Sequence, residues 1–381
     1  MNETEPLQVT DGEIAVINLN SARSRSWSRL FQDAFQPGLA ELIVEQEQLT
    51  AQFVGDVSAL DRLVSLSNYI FEIDPASART ALIQAKVASS LHRFSDARCC
   101  LSRAEALGAS RVDLVSLRTN LDQACAVNLD AVLDERLRDA SHSGSLESLV
   151  SLGALLADLR EFSESEAVYR RALLAYKDVS PFAVALVCFQ LGMLWGELVP
   201  EPDLSRAEQW YRKAVTCLPG YVKARVHLAE IYTSCGQLSE AESLLKPALA
   251  SGDPEVHWRL SAIFAADRRS AEAHAQLAEA RSRFEALLER HLFAFADHGA
   301  EFYAGSGNDP SRALDLARAN LKNRPTRRAF EQACKMAVSA NDIDAVNELI
   351  AIGGRLGGMT PASRFSSLAD LGCNVRGGTV A

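Results

Sequence analysis

Leu228–Leu249 reads LAEIYTSCGQLSEAESLLKPAL. Ala229 is followed three places later by Tyr232, so a small and a large side chain share one helix face. Gly236 interrupts the pattern. After it, Ala241 and Ala248 stand seven apart with Leu245 between them, the spacing of one face of a second helix. Two helices joined by a short turn approach closely only where side chains are small, and a large residue one turn away fills the next groove. The segment therefore reads as one helical hairpin.

The same hairpin recurs on both sides of it. First-helix pairs of small and large residues are Gly153 with Leu156, Gly192 with Trp195, and Ser261 with Phe264. Second-helix pairs of small residues are Ser165 and Ala172 around Tyr169, Ala207 and Ala214 around Tyr211, and Ala273 and Ala280 around Leu277. The series Ser165, Ala207, Ala241, Ala273, Ala313 and Ala345 has spacings of 42, 34, 32, 40 and 32. One long interval contains the insert Leu198–Asp203 (LVPEPD); the other contains an extension at Arg281–His291 and the loop Gly305–Pro310. Pro219, Pro254 and Pro325 fall at breaks between hairpins, where a missing amide hydrogen is tolerated. Upstream, Leu91–Leu107 carries Ala97 and Ala104 seven apart, and the phase holds from Ala97 to Ser165 across the weaker Arg111–Ala140.

The segments LGMLW (Leu191–Trp195), AEQWYRKAVTCLP (Ala207–Pro219), FSESEAVYRRAL (Phe162–Leu173) and Leu228–Leu249 resemble the tetratricopeptide repeat family, a helix–turn–helix unit of about 34 residues. FEIDP (Phe71–Pro75) resembles that family's usual repeat ending. The resemblance implies an all-α fold: a right-handed superhelical solenoid of antiparallel helix pairs, with about seven or eight repeats from Ile43 to Ile352. Along the chain the expected divisions are a flexible or docking N-terminal segment (1–25), capping helices and degenerate repeats (26–145), clear repeats (146–290), C-terminal repeats (291–352) and a Gly-rich mobile tail (353–381). Within the first division, Ile14–Leu19 (IAVINL) reads as an extended docking segment. Trp27, Leu30, Phe31 and Phe35 have the spacing of a capping helix.

Composition agrees with closely packed helix pairs. Apolar residues make up 48% of the chain but aromatics only 7%, so Ala, Leu and Val must build the core. With 12 Pro and 21 Gly, and 23% charged residues among that much apolar content, neither a collagen-like nor a disordered chain fits. The net charge of −10 argues against binding nucleic acid, which needs a basic face to displace counterions. The eight cysteines form no C-x-x-C and read as reduced, buried small apolar groups. The acidic start, MNETEPLQVTDGE, lacks the order of a secretory signal, and a cytoplasmic protein is expected. Phe182–Val199 has the length and apolarity of a minimal membrane span, but the repeat pattern reads it as a helix buried on most sides, and no membrane span is expected.

No nucleophile elbow, P-loop, dinucleotide fingerprint or H-E-x-x-H is present, so no enzyme activity and no cofactor are expected. Gly353–Gly358 is Gly-rich but follows no strand, and phosphate cradling is a weak reading of it. Ala22–Arg29 (ARSRSWSR) reads as a small basic patch, either solvated or facing an anionic partner. The one constellation with metal-binding chemistry is His291, Asp297, His298 and Glu301; on a single helix the two histidines would share a face. It supports an alternative reading as an enzyme or metal-dependent protein. A membrane-associated assembly factor using Phe182–Val199 is a second alternative.

The leading expectation is a non-catalytic scaffold or adaptor. The resemblance implies that first helices line an inner, concave face where a protein or peptide partner lies. Repeat phase places Val150, Ala154, Phe189, Met193, Val226, Glu230, Trp258, Ala262, Phe330 and Cys334 there. Phe189, Met193, Trp258 and Phe330 would form an apolar stripe flanked by Arg79, Lys86, Lys223, Arg225 and Arg327, or would pack between repeats. The family's basic clamp for chaperone C-terminal carboxylates uses Lys and Asn on first helices. Here those positions are mostly apolar or small and the Asn are absent, so that ligand is not implied.

Overall fold

A computed structural model describes the backbone of residues 9–356 and the side chains of residues 9–352. Among the described residues the chain is all α-helical. In order the helices are α1 (Gly12–Gln32), α2 (Leu39–Leu49), α3 (Ser58–Ile73), α4 (Ala78–Ser90), α5 (Phe94–Ala106), α6 (Arg111–Ala124), α7 (Leu129–His142), α8 (Leu146–Asp158) and α9 (Phe162–Ala175). They continue with α10 (Pro181–Met193), α11 (Leu204–Cys217), α12 (Val222–Ser234), α13 (Leu238–Leu245), α14 (Pro254–Ala266), α15 (Ser270–Ala304), α16 (Pro310–Asn323), α17 (Arg327–Ser339) and α18 (Ile343–Leu356). Short π-helical turns follow α2 (Thr50–Val54) and α10 (Leu194–Leu198). Two compact units divide at Arg283/Phe284, with the short pieces His92–Phe94 and Ala124–Ala126 grouped with the second.

In the first unit, helices pack on their chain neighbours, α8 on α9, α10 on α11 and α12 on α13. Like helices of adjacent pairs also meet, α8 with α10 and α12 with α14, which is how hairpins stack. The small second-helix residues are where the sequence places them: Ser165, Ala172, Ala207, Ala214 and Ala241 are fully buried. In two of these pairs the first helix, α8 or α10, carries glycine opposite. A Cβ on Gly153 would lie 2.7 Å from Cε1 of Tyr169, and one on Gly192 would lie 2.5 Å from Cδ1 of Tyr211. Both rings are buried, so the helix axes come together only because these glycines have no side chain. Ser165 Oγ donates to the Gly153 carbonyl at 2.8 Å, adding a polar tie at the same crossing.

The turn inside each pair is also repeated. Arg160, Gly236 and Arg268 adopt positive φ, and the next residue's N–H returns to the carbonyl five places back: Glu161 to Leu156, Gln237 to Tyr232 and Arg269 to Phe264, each at 2.8 Å. This left-handed cap satisfies the carbonyls at the helix end. In two of the three it holds a non-glycine residue in a conformation that costs about 1–2 kcal/mol.

The second unit carries the same design. Asn341 takes positive φ and Asp342 N–H returns to the Ala337 carbonyl at 3.1 Å. Ala313 and Ala345 are fully buried. Phe284 stacks on Phe302 with ring centroids 4.7 Å apart, and α16, α17 and α18 pack in sequence.

Several expectations are corrected. Ile14–Leu19 is helical, part of α1, because Asp11 caps it by accepting from the N–H of Glu13 and Ile14 and because Gly12, Ala15 and Leu19 bury one helical face. The basic patch Ala22–Arg29 is not an open surface. Trp27 Nε1 donates to Glu47 Oε1 at 2.7 Å, Arg23 stands 3.7 Å from the same carboxylate, and Arg62 Nε donates to both its oxygens at 3.0 Å. The Glu47 side chain is fully buried among them. Of the expected Gly-rich tail, Gly353–Leu356 finish α18, and the rest lies outside the described residues. Cys125, Cys188 and Cys334 are buried, but Cys99 and Cys235 are exposed because they fall on the outer side of α5 and just past α12. The apolar run from Pro181 to Leu198 is long and apolar enough to cross a membrane, yet half of it is buried within the protein. Val184, Ala185, Val187, Cys188 and Leu191 form the centre of the first unit's core, between α9 and α11.

Two outcomes follow. Gly192→Ala forces a methyl group into the Tyr211 ring, a strain of about 1–3 kcal/mol only partly offset by better helix propensity; urea unfolding is expected to show a net loss of about 1–2 kcal/mol. Glu47→Ala removes the buried acceptor shared by Trp27, Arg23 and Arg62 and leaves the two arginines only Asp56, and a loss of about 1–3 kcal/mol is expected in the same assay.

Candidate functional site

Three successive first helices bring a polar network together in the first unit. The π-turn after α10 supplies Glu197, α12 supplies His227 and Glu230, and α14 supplies Glu255 and Arg259. His227 and Glu230 are three apart and Glu255 and Arg259 four apart, so each pair shares a helix face. His227 Nδ1 lies 2.9 Å from Glu197 Oε1 and 3.5 Å from Glu230 Oε2. Arg259 Nη2 reaches Glu230 at 2.7 Å and Glu255 at 3.8 Å. The His227 ring stacks on Tyr211 with centroids 5.4 Å apart and meets the edge of Phe189 at 5.3 Å. The Arg259 guanidinium lies 3.7 Å over the Trp258 ring. Three carboxylates thus share one arginine and one histidine, while about a third of the side-chain surface of Glu197 and of Glu230 still meets solvent.

The electrostatics follow from that count. Burial alone would lower the His227 pKa, but the hydrogen bond to Glu197 and the charges of Glu197, Glu230 and Glu255 outweigh it and hold the imidazolium form above its ordinary range. Burial pushes the Glu230 carboxyl up, against the pull of Arg259 and His227. Chemically the cluster is a shallow, acid-rich surface with one titratable cation at its centre.

The residues expected to face a partner fall out differently. Phe189, Trp258 and Phe330 are buried, so they form no open apolar stripe: Phe189 is enclosed by Tyr211, Tyr221 and His227, and Trp258 lies under Arg259. Phe330 is buried on α17 in the second unit, where Arg327 pairs with Glu331 at 2.5 Å. Met193 is half-buried at the end of α10, and Lys223 is exposed at the start of α12. Arg225 is spent on structure, donating to the carbonyls of Pro219 and Leu244. Arg79 makes two 2.7 Å bonds to Glu41, and Lys86 is half-buried on α4. Of the expected set, only Glu230 belongs to the network. The i, i+3 and i, i+4 charge spacings of His227/Glu230 and Glu255/Arg259 are the signal that would have found the rest.

The metal-binding constellation does not assemble. His291 has φ −136° and ψ 49°, which breaks α15 and removes the shared face that a continuous helix would give His291 and His298. Asp297 is engaged by Arg324. Burial would raise its pKa, but the charges of His298, Arg324 and His92 hold it down to about 2. Glu301 accepts from Gln332 at 3.3 Å. Among the described residues no group of three or more His, Cys, Asp or Glu side chains is placed to hold a metal ion.

His227 and Glu230 both bind protons more readily in the fold than in the unfolded chain. Stability contributed by His227 is therefore complete below about pH 6.5 and is lost as pH rises through its raised value. Urea midpoints are expected to fall between pH 6 and pH 9, and His227→Gln is expected to flatten that slope.

Tetratricopeptide repeat family models match residues 145–180 and 201–263, the ranges that hold α8–α9 and α11–α13 with most of α14. No curated protein matches the chain. Among solved structures, the anaphase-promoting complex hetero-tetramer Cut9–Hcn1 is 14% identical with a TM-score of 0.47, over 74% of this chain and 54% of that one. The chain thus spans about half the length of that relative. A tetratricopeptide repeat protein from Parabacteroides merdae is 13% identical with a TM-score of 0.39, over 68% of this chain and 98% of that one. Those scores carry no argument about function. Residues 145–180 and 201–263, set among stacked helix pairs, thus match tetratricopeptide repeats.

Proposed function

We propose that this protein is a non-catalytic adaptor that holds a protein or peptide partner on the first-helix surface around Glu197, His227 and Glu230. Tetratricopeptide repeat proteins bind protein partners, the general class that the two matched segments support. The observation that carries the finer reading is the clustering of carboxylates: Glu197, Glu230 and Glu255 come from three consecutive repeats, and about a third of the side-chain surface of Glu197 and of Glu230 meets solvent. A lysine or arginine of an incoming segment complements it, and half-buried Met193 offers an adaptable apolar contact beside it. The exposed carboxylate side of the surface fits a basic segment better than an acidic one.

The test is quantitative affinity capture with the full chain. Glu197→Lys reverses a charge that is exposed but also bonds His227, so its urea midpoint is measured alongside, and Arg171→Glu on α9 is the surface control. A protein or peptide recovered by wild type and by Arg171→Glu is expected to bind Glu197→Lys at least about tenfold more weakly, a change of about 1.4 kcal/mol. Equal affinity for all three would remove the proposal.

A further inference from the structure

Helix α1 has two apolar faces. The inner one buries Gly12, Ala15, Leu19, Ser26 and Leu30 in the first unit. Arg23 and Trp27 turn toward buried Glu47, so the helix is firmly seated, while Ser24, Arg25, Ser28 and Arg29 stay exposed. The outer face carries Ile14, Ile17, Ser21, Ser24, Ser28 and Phe31, at alternating intervals of three and four. That spacing is the seam of a helix that pairs with another helix. Ile14 is 52% exposed, Ile17 63% and Phe31 69%, so three large apolar side chains line one open face rather than lying scattered. Phe31 stands beside Trp27 and Tyr69, with ring centroids 6.0 and 6.2 Å away, and makes an aromatic platform at one end. At the centre, Ser24 Oγ donates to the Asn20 carbonyl and Ser28 Oγ to the Ser24 carbonyl, both at 3.0 Å. A second helix can cover these two serines without stranding their donors.

The seam is complementary to itself when reversed end for end. Ile14 then comes opposite Phe31, Ile17 opposite Ser28, and Ser21 opposite Ser24. We infer that this face is a self-association surface, on which α1 of a second copy of the chain lies antiparallel about a two-fold axis near Ala22 and Arg23. Such a contact is isologous, the same patch serving both copies. The serines let the two backbones approach at the centre and the large side chains close over the ends, the rule that small and large residues follow at the repeat crossings. Charge favours the same orientation. The exposed acids Asp11 and Glu13 stand at the start of α1 and the exposed Arg25 and Arg29 in its second half, so reversal sets the acidic N-terminal end of each helix beside the basic half of the other. A helix of 21 residues offers a seam about 30 Å long. That lies at the small end of specific interfaces, and a Kd on the order of 10–100 μM is expected.

Sedimentation equilibrium of the full chain tests the inference. Wild type is expected to pass from monomer to dimer, and no further, as its concentration rises through that range. Ile14→Lys and Phe31→Glu change exposed side chains, so the urea midpoint measured alongside is expected to move little. Each alone is expected to weaken the dimer at least about tenfold. Combined in one chain, they set opposite charges against each other at both ends of the antiparallel seam, and dimerisation is expected to return. Glu197→Lys is expected to leave the dimer unchanged, so failure of this inference is separable from failure of the adaptor reading. A chain that stays monomeric to about 1 mM, or a dimer indifferent to both single changes, would overturn the surface. Loss in the single variants without recovery in the double variant would overturn the antiparallel register.

Discussion

The first unit depends on a steric allowance: a helix pair closes only when one helix lacks a side chain where the other places a tyrosine ring. Gly153 under Tyr169 and Gly192 under Tyr211 are two copies of that arrangement in consecutive pairs. Each is flanked by fully buried small residues on the second helix, Ser165 and Ala172 in one pair and Ala207 and Ala214 in the other. Dispersion contacts are individually small but numerous at such a crossing, and a gap of less than 1 Å forfeits much of them. The close approach therefore sets the distance between helices. That distance in turn fixes where the next first helix lies, and so which side chains of α10, α12 and α14 come within reach of one another.

The polar network is a consequence of that stacking. Glu197, His227, Glu230, Glu255 and Arg259 lie on three elements separated in sequence, yet pack within 2.7–3.8 Å of a partner. Such a network is stabilising only while its members are correctly protonated and correctly spaced. Tyr211 joins the two levels of organisation directly: one face of its ring fills the space above Gly192, and it stacks on His227. Repeat spacing and surface charge are thus coupled through one side chain.

Much of the fold was legible because its determinants are local and periodic. The positions of Ala207, Ala241 and Ala313 follow from helix geometry alone, and all are buried. What escaped the sequence was non-local or conformational. Ile14–Leu19 contains β-branched residues and looks extended, and only its docking and the Asp11 cap make it helical. The break at His291 falls at no Gly or Pro, so nothing flagged the loss of a shared face with His298. The left-handed caps at Arg160 and Arg268 use residues that rarely adopt that conformation. Phe189 and Trp258 have the repeat phase of inward-facing residues, but phase says nothing of what covers them. Tyr221 and Arg259, with His227, supply the cover. Burial of this kind is set by tertiary neighbours, and a single-helix pattern holds no information about them.

A double-mutant cycle at Gly192 and Tyr211 tests the steric account most directly. Unfolding free energies would be measured for wild type, Gly192→Ala, Tyr211→Leu and the double variant. If the close approach governs the pair, the cost of Gly192→Ala largely disappears once the Tyr211 ring is gone, giving a coupling of about 1 kcal/mol or more. Strict additivity of the two changes would contradict it.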